Sequence, residues 1–342
     1  MSAQVPTLKE IAKRLNISVS AVSRALHNHP SIGLRTSARV HQLAAELNYE
    51  PNQVALSFKR SKTSMIGVIL PNLNHDFFAS IVSAIEDVAY RKNYTLLLGQ
   101  SRDEEDREKR LVESMKSHRV DGVLVSIAKN TANYAHFDLL KKMNIPVVFF
   151  DRIPRMPDIH YIASELESGM EAAVRFLVKK KHRNIGMING PDSLLASKER
   201  LEGYMHALQK LRIKIDLSSV VSSNLSREGN QQAMQEILDM KRRPTAIITF
   251  NDYVAMDAIK YAKKAGIKIN EDISFVSFAN EPICNYMDHP PMASVEQFPY
   301  QQGEKATELL LQLLEGDEKT RTSNNFHKIL LPPQLVIHEA QA

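Results

Sequence analysis

The sequence predicts an all-α N-terminal head followed by an α/β core of two doubly wound subdomains. Two short amphipathic helices near the N-terminus predict the head. From residue 63 onward, short apolar strands alternate with amphipathic helices, which is typical of parallel sheets covered on both faces. The alternation starts again about 120 residues after its first start, which favours two similar subdomains over one very large sheet.

Residues 7–24, TLKEIAKRLNISVSAVSR, have the pattern of two short helices joined by a tight turn. Thr7 and Glu10 predict a capping box at the start of the first helix, whose apolar residues recur at helical spacing. Ser18 is placed to cap the second helix, with Val22 and Leu26 on its inner face. The arrangement predicts a helix-turn-helix.

The outward face of the second helix carries Val19, Ser20, Ser23 and Arg24. In a helix-turn-helix this is the surface that meets base edges and phosphates. The short side chains of Val19 and Ser20 offer an apolar surface and one hydroxyl, so direct base readout there is expected to be modest.

The charge distribution points to the same end of the chain. Residues 1–60 hold 8 Lys and Arg against 3 Asp and Glu, whereas residues 61–342 hold 36 of each. No acidic residue lies between Ile11 and Glu46. A basic module on a neutral body suits the phosphate backbone of DNA, and its periodic apolar faces argue against a solvated tail.

The composition is typical of a globular protein without disulfides or membrane helices. The chain has 342 residues, 43% of them hydrophobic, and a single cysteine, Cys284, which excludes an intramolecular disulfide. No apolar run approaches the roughly 18 residues of a membrane helix, and the N-terminus lacks a signal-peptide pattern. We expect two or three domains in a cytoplasmic, nucleoid-associated protein without a membrane partner.

The core elements follow from the apolar pattern. The predicted strands are 65–70, 94–98, 122–126, 147–150, 185–189, 245–250 and 273–278. The predicted helices are 77–92, 105–116, 166–179, 199–211, 229–240 and 254–265. A strand near 294–298, a helix over 299–314 and strands near 329–331 and 335–337 are expected to cross back between the subdomains.

Polar and aromatic residues follow the predicted strands at their carboxyl ends, where ligands of such sheets bind. They are Asn72, His75, Asp76, Phe77, Asp151, Arg152, Asn251, Asp252, Asn280 and Glu281. Carboxylates and amides bind hydroxyl groups, and aromatic faces stack on sugar rings or bases. Catalytic, phosphate-loop and metal-ligand motifs are missing from the sequence, so we expect no catalytic residue, metal or cofactor.

Several segments together resemble the lactose-repressor family of bacterial transcription regulators. They are TLKEIAKRLNISVSAVSRAL, LAAELNYEPNQVALSFKR, IGVILPN, FFASIVSAIED, VDGVLV, PVVFFDR, ERLEGY, PTAIITFND and LLPPQLVI. They cover nearly the whole chain in the family's order, which is more specific than any single motif.

The resemblance implies a helix-turn-helix head, a hinge helix and a periplasmic-binding-protein-like core that dimerises and binds a small effector. The expected domains are a head at 1–49, a hinge at 50–62, a first core subdomain at 63–163 and 294–325, and a second at 164–293 and 326–342.

The resemblance places base reading on Val19 and Ser20 and adds the hinge, 52–59, as a minor-groove element. Relatives usually insert a leucine between base pairs, and this chain has Phe58 at that position; phenylalanine is also an accepted wedge side chain. The alternative is that Phe58 packs on the core as a linker residue. The candidate DNA-contacting residues are Thr7, Ser18, Val19, Ser20, Ser23, Arg24, Asn52, Ala55 and Phe58.

For the effector, the resemblance places the family's cleft arginine at Arg200 and further pocket positions at Asp151, Asn251 and Asp252. Asn224 stands where relatives often carry a stacking aromatic ring, and Ala279 stands where many carry an aspartate. The candidate effector-binding residues are His75, Phe77, Asp151, Arg200, Asn224, Asn251, Asp252 and Asn280. Structural roles compete with binding, since Asp252 could cap a helix and Asp151 could brace a loop.

These observations predict a ligand-responsive, sequence-specific DNA-binding regulator, a repressor of carbohydrate or related small-metabolite genes. Its expected partners are a near-palindromic operator, a sugar or sugar derivative, and a second copy of the chain. The alternative is a solute-binding receptor of the periplasmic-binding-protein type without a DNA role, which would leave the basic head unexplained. An enzyme is the weakest of the three classes.

Overall fold

The computed structural model describes residues 6–49, 62–316 and 326–338. The chain divides into two compact units, Met1–Thr63 and Ser64–Ala342. Most of the predicted hinge, residues 50–61, lies outside the described residues, and so do its candidates Asn52, Ala55 and Phe58.

The head consists of helices α1 (Leu8–Leu15), α2 (Val19–Leu26) and α3 (Leu34–Glu46). The Thr7 hydroxyl caps α1 by accepting a hydrogen bond from the Glu10 amide at 3.3 Å. The Glu10 carboxylate binds the Arg14 guanidinium at 2.7 Å instead of the Thr7 amide. Of the predicted capping box, the hydrogen bond to the Thr7 hydroxyl therefore forms and the reciprocal bond from Glu10 does not. Asn16 makes the turn in the left-handed conformation, at φ 52°.

A small apolar core holds the three helices of the head together. Its fully buried members are Ile11, Val22, Ala25 and Val40, which come from all three helices. Burial of such side chains contributes about 1.5–3 kcal/mol each for the larger ones. The exposed residues of α2 are therefore held on a packed scaffold.

The second unit contains two six-stranded sheets, with strand orders β11-β5-β4-β3-β1-β2 and β12-β10-β9-β8-β6-β7. The first sheet is built from β1 (Met65–Leu70), β2 (Thr95–Gln100), β3 (Gly122–Val125), β4 (Val147–Phe150), β5 (His160–Ser164) and β11 (Lys328–Leu331). The second is built from β6 (Ile185–Asn189), β7 (Val220–Ser222), β8 (Ala246–Thr249), β9 (Ser274–Ala279), β10 (Ala293–Glu296) and β12 (Gln334–Ile337).

Helices cover both sheets, as expected for doubly wound folds. They are α4 (Asp76–Arg91), α5 (Glu105–Ser117), α6 (Asp138–Lys142), α7 (Leu166–Lys179), α8 (Leu195–Lys210), α9 (Arg227–Leu238), α10 (Asp252–Lys264) and α11 (Pro299–Glu315). Four of them, α4, α8, α9 and α10, begin earlier than predicted. For α9 the cause is Ser226, whose hydroxyl accepts from the Gly229 amide at 3.1 Å.

The chain crosses between the subdomains after β5, after β10 and after β11. Strand β10 pairs in parallel with β9 in the second sheet, and α11 then packs in the core of the first subdomain. Strand β11 pairs in parallel with β5 in the first sheet, whereas β12 pairs with β10 in the second and is antiparallel to it. The predicted crossing back is confirmed.

Two predicted domain boundaries are wrong. Residues 294–296 belong to the second sheet and not to the first subdomain, and residues 328–331 belong to the first sheet and not to the second subdomain. Strand pairing between distant segments decides both assignments, and the local apolar pattern carries no information on the partner of a strand. Within the described residues, no helix is both long enough and apolar enough to cross a bilayer.

Candidate functional site

The exposed face of α2 is the candidate DNA-contacting surface. Val19 is 40% exposed, which is high for an apolar side chain, and Ser20 and Arg24 are exposed beside it. Ser23 is half-buried at the edge of this face. The Arg24 guanidinium lies against the helix and donates to the Ser31 hydroxyl at 3.4 Å. The structure thus places these four predicted residues on one helix surface.

Thr7 and Ser18 act as helix caps. The Ser18 hydroxyl accepts from the Ala21 amide at 3.1 Å and lies 3.0 Å from the Ser20 hydroxyl. Capping fixes the N-terminus of α2, and a helix N-terminus attracts phosphate groups. The two hydroxyls therefore satisfy the Glu10 and Ala21 amides at the N-termini of α1 and α2.

A buried cation, Arg200 on α8, lies close to Asp151 of the first subdomain. Its side chain is only 4% exposed, and its guanidinium carbon lies 4.2 Å from the centre of the Phe250 ring and 4.7 Å from that of Phe278. Its Nε is buried and has no hydrogen-bond partner among the described residues. Burial lowers the pKa of Arg200 to about 10, so the group remains charged at neutral pH. A buried donor without a partner is costly, and a ligand oxygen would satisfy it.

Asp151 follows β4 and is the anionic neighbour of Arg200. Its backbone adopts a left-handed conformation at φ 56°, which aspartate and asparagine tolerate better than most residues other than glycine. Burial raises the pKa of Asp151 to about 6, and the nearby positive charges of Arg152 and Arg200 oppose that shift. A carboxyl group that titrates close to neutrality in a cleft is a candidate for ligand binding.

Polar contacts join the two subdomains at several further points. The Glu281 carboxylate accepts a hydrogen bond from the Phe77 amide, with oxygen distances of 3.1 and 3.4 Å. The Lys129 ammonium donates to the Asn224 carbonyl at 2.8 Å. The His75 ring lies 4.1 Å, centre to centre, from the Tyr253 ring. Predicted residues His75, Phe77 and Asn224 therefore lie where the subdomains meet.

Asp252 is held by protein donors, but it does not cap α10 as the structural alternative expected, because Asn251 provides that cap. It is 1% exposed and accepts hydrogen bonds from the Ser277 hydroxyl, from the Ser294 hydroxyl at 2.8 Å and from the Glu281 amide at 2.7 Å. These contacts tie α10 to β9 and β10. The carboxylate is thus occupied by protein donors.

Asn251 and Asn280 are also held by protein groups. The Asn251 side chain caps α10 by accepting from the Val254 amide at 3.0 Å. The Asn280 amide donates to Glu296 at 2.9 Å, and its oxygen lies 3.1 Å from His338. The Asn251 contact fixes the start of α10, and the Asn280 contacts join the end of β9 to the ends of β10 and β12.

Comparison with known families decides the class of this fold and site. A model described as bacterial regulatory proteins, lacI family, matches residues 7–52, and one described as periplasmic binding proteins and sugar binding domain of LacI family matches residues 63–336. The chain belongs to the LacI family of bacterial regulatory proteins.

Relatives and solved structures cover almost the whole of this regulator. The transcriptional repressor CytR of Escherichia coli K12 is 30% identical over 316 residues, 91% of this chain and 90% of its own length. The transcriptional repressor PurR of Vibrio atlanticus is 28% identical over 94% of this chain and 96% of its own. A crystal structure of the Lac repressor dimer bound to operator and the anti-inducer ONPF superposes with a TM-score of 0.83 at 25% identity, covering 97% of this chain and 98% of that one.

Family membership establishes the function at the level of class. This LacI-family regulator is a DNA-binding transcriptional regulator with an effector-binding core, and its curated relatives are transcriptional regulators and not enzymes. The predicted family, fold class and function are confirmed.

Two residues of the cleft region were missed by sequence reasoning. Asp103 accepts from the Arg152 guanidinium at 2.5 Å and from the Lys129 amide at 2.9 Å, so it joins two loops that are distant in sequence. Asp103 follows β2 and Lys129 follows β3. The signal available was their position after apolar strands, the same signal that singled out Asp151.

Glu281 predicts a measurable pH dependence of stability. Burial raises the pKa of Glu281 to about 7, and the nearby Asp252 and Asp76 carboxylates add to the shift. In the folded state Glu281 keeps its proton up to a higher pH than it does in the unfolded chain. Its contribution to the unfolding free energy is therefore fully present below the unfolded pKa and is lost as pH rises through 7. We expect Glu281→Gln to reduce the fall in unfolding free energy between pH 5 and pH 8 by on the order of 1–2 kcal/mol.

Denaturant unfolding at the two pH values measures this effect. Glu308→Gln, at an exposed position of α11, is the matched control and is expected to unfold like the wild type at both. An identical pH slope in Glu281→Gln and wild type would contradict the prediction.

Proposed function

We propose that this regulator represses transcription as a homodimer on a near-palindromic operator, under the control of a small polar metabolite. The observation that carries the proposal is the exposed face of α2, with Val19, Ser20 and Arg24 held outward on a capped helix. A head of about 60 residues reads only a few base pairs, so specific binding requires two heads on paired half-sites. The protein acts in the cytoplasm, on the nucleoid.

The hinge, residues 50–62, adds the second part of the operator readout. A segment this short is marginally stable alone as a helix, so the two hinges of the dimer fold on the operator. Phe58 enters a base step in the minor groove, and neighbouring Asn52 and Ala55 lie against the groove. Within this proposal, Arg24 and Ser23 contact the backbone or base edges in the major groove.

The effector lies in the cleft between the subdomains. Arg200 and Asp151 supply a charged pair, and the Phe250 and Phe278 rings pack against the Arg200 guanidinium. The sides of the cleft, where the subdomains meet, are formed by His75, Phe77 and Asn224. These sides are held in place by contacts of Asn251, Asp252 and Asn280. Such a site suits a sugar, sugar derivative or nucleoside-like metabolite.

Effector binding shifts the core between an open and a closed arrangement, and the effect on DNA cannot exceed the difference in effector affinity between the two. The cleft binds its ligand without turnover, so the protein is not an enzyme. A solute-binding receptor would use the same core but leaves the α2 surface without a role.

The proposed insertion of Phe58 between base pairs provides the test of this function. Gel shifts and bending assays on operator fragments selected from the genome are expected to show specific binding and a bend by wild type. Phe58→Ala should lose about tenfold or more in specific affinity, together with the bend, while non-specific binding persists because it depends on phosphate contacts.

Arg24→Ala is the matched comparison and should weaken binding with little change in bending. Equal bending by Phe58→Ala and wild type would place Phe58 in the linker role. Absence of any sequence-specific site would favour the receptor alternative.

A further inference from the structure

A polar cavity lies at the carboxyl ends of β1 and β2, beside the Asp151–Arg200 pair. It has a volume of about 340 Å³ and is lined by Asn72, Asn74, Gln100, Arg102 and Asp103, which we call the polar alcove. It adjoins the cleft through Asp103, which binds Arg152 directly after Asp151. Its lining residues all have polar or charged side chains, unlike the aromatic surroundings of Arg200.

The amide oxygens of the alcove are already used by the backbone. The Asn72 oxygen accepts from the Asn74 amide at 2.8 Å, and the Gln100 oxygen accepts from the Leu73 amide at 3.0 Å. Because these bonds fix which end of each side-chain amide is engaged, the NH₂ groups of Asn72 and Gln100 are left as donors. The alcove is therefore richer in hydrogen-bond donors than in acceptors.

The uncompensated charge of the alcove is positive. The Asp103 carboxylate is engaged by the Arg152 guanidinium at 2.5 Å and the Lys129 amide at 2.9 Å, with the Lys129 ammonium 4.0 Å away. Arg102 makes no ion pair with any carboxylate of the described residues. An arginine fork beside several amide donors matches the oxygens of a phosphate group.

The backbone holds this arrangement at a cost. Arg102 and Asp103 are consecutive residues with left-handed conformations, at φ 52° and 62°. Such conformations are uncommon outside glycine and persist where the surroundings enforce them, which is common at ligand sites. Here the Arg102 amide donates to the Pro71 carbonyl at 2.8 Å and the Asp103 carboxylate is doubly bound.

We propose that the polar alcove binds a phosphate monoester, so that the effector of this regulator is a phosphorylated metabolite, either a sugar phosphate or a nucleotide. The inference rests on the proposed function and specifies the chemistry of its effector. The phosphate lies on Arg102 and the amides of Asn72 and Gln100, and the remainder of the molecule extends toward Asp151 and Arg200.

The same site is linked to closure of the core. Asp103 holds the amide of Lys129, and the Lys129 ammonium donates across the cleft to the Asn224 carbonyl at 2.8 Å. A phosphate beside Asp103 adds negative charge close to Lys129 and so changes the strength of this contact between subdomains. Occupation of the alcove and closure are thereby coupled.

Calorimetry and phosphorus NMR with the full chain test the proposal. Inorganic phosphate is the first probe and is expected to bind at millimolar concentration, more weakly as ionic strength rises. The second probes are matched pairs, glucose 6-phosphate with glucose and AMP with adenosine. At least one phosphate monoester should bind about tenfold or more tightly than its parent.

Arg102→Gln is expected to abolish phosphate binding and to reduce the preference for the monoester to that of the parent compound. Arg110→Gln, an exposed charge on α5 outside the alcove, is the matched control and should behave as wild type. Comparison of the glucose pair with the adenosine pair distinguishes a sugar phosphate from a nucleotide as the effector.

No phosphate binding by wild type, or equal binding by wild type and Arg102→Gln, would overturn the proposal. Operator binding by the same preparations separates the two levels of inference. A protein that binds operator but shows no phosphate preference remains a regulator with an uncharged effector, whereas loss of operator binding in wild type would count against the proposed function itself.

Discussion

Replacement of Arg200 by alanine is expected to weaken effector binding by about a hundredfold or more while operator binding persists. The guanidinium is buried between the Phe250 and Phe278 rings, and its Nε has no partner among the described residues, so its hydrogen-bonding capacity is available to a ligand. A charged hydrogen bond in such a site contributes about 1.5–3 kcal/mol, and more than one is lost with the side chain.

Thermal-shift screening of sugars, nucleosides and their phosphates identifies a working ligand, and calorimetry then compares wild type with Arg200→Ala. Gel shifts measure operator binding and its response to that ligand in both. Arg175→Ala is the matched control, since Arg175 is an exposed arginine on α7 that pairs with Glu171 at 2.5 Å. If Arg200→Ala retains wild-type ligand affinity, the ligand lies elsewhere.

Replacement of Asp252 by alanine is expected to destabilise the core by about 3 kcal/mol or more. The side chain is fully enclosed and accepts from two serine hydroxyls and the Glu281 amide, so its removal leaves three buried donors without their acceptor. Each unsatisfied buried donor costs about 1–3 kcal/mol, partly offset where neighbours rearrange.

Urea unfolding followed by circular dichroism measures the loss. Asp252→Asn keeps the shape and one acceptor oxygen and is expected to lose less stability than Asp252→Ala. Asp288→Ala, at a carboxylate whose side chain is 90% exposed, is the control and should change stability by less than about 0.5 kcal/mol. Equal midpoints for Asp252→Ala and wild type would contradict the structural role assigned to this carboxylate.

Several elements were predictable because their determinants are local. Thr7 and Ser18 each cap the helix that follows them, and Asn16 adopts the left-handed turn, since capping and turn conformation depend on a few neighbouring residues. The central strands β1, β3 and β4 were predicted closely because both faces of a parallel sheet are buried and its strands are apolar throughout.

Other elements were missed because their local signal is weak. Strands β5, HYIAS, and β7, VVS, are short or carry polar residues, and pairing with a neighbouring strand makes them part of a sheet. Helix α8 begins at Leu195, four residues before the predicted start. No side chain caps this terminus, so the local sequence carries no signal for the start of the helix.

The sequence by itself determined the helix-turn-helix head and the doubly wound class of the core. Only the tertiary structure decided that β11 joins the first sheet and β12 the second. It also decided that Asp252 is enclosed by Ser277, Ser294 and Glu281, and that Asp103 links Lys129 to Arg152. The physical reason is the range of the interactions, since helices and caps form between neighbours in sequence. Sheet partners and the donors around a buried carboxylate come from segments tens of residues apart, and only the folded chain brings them together.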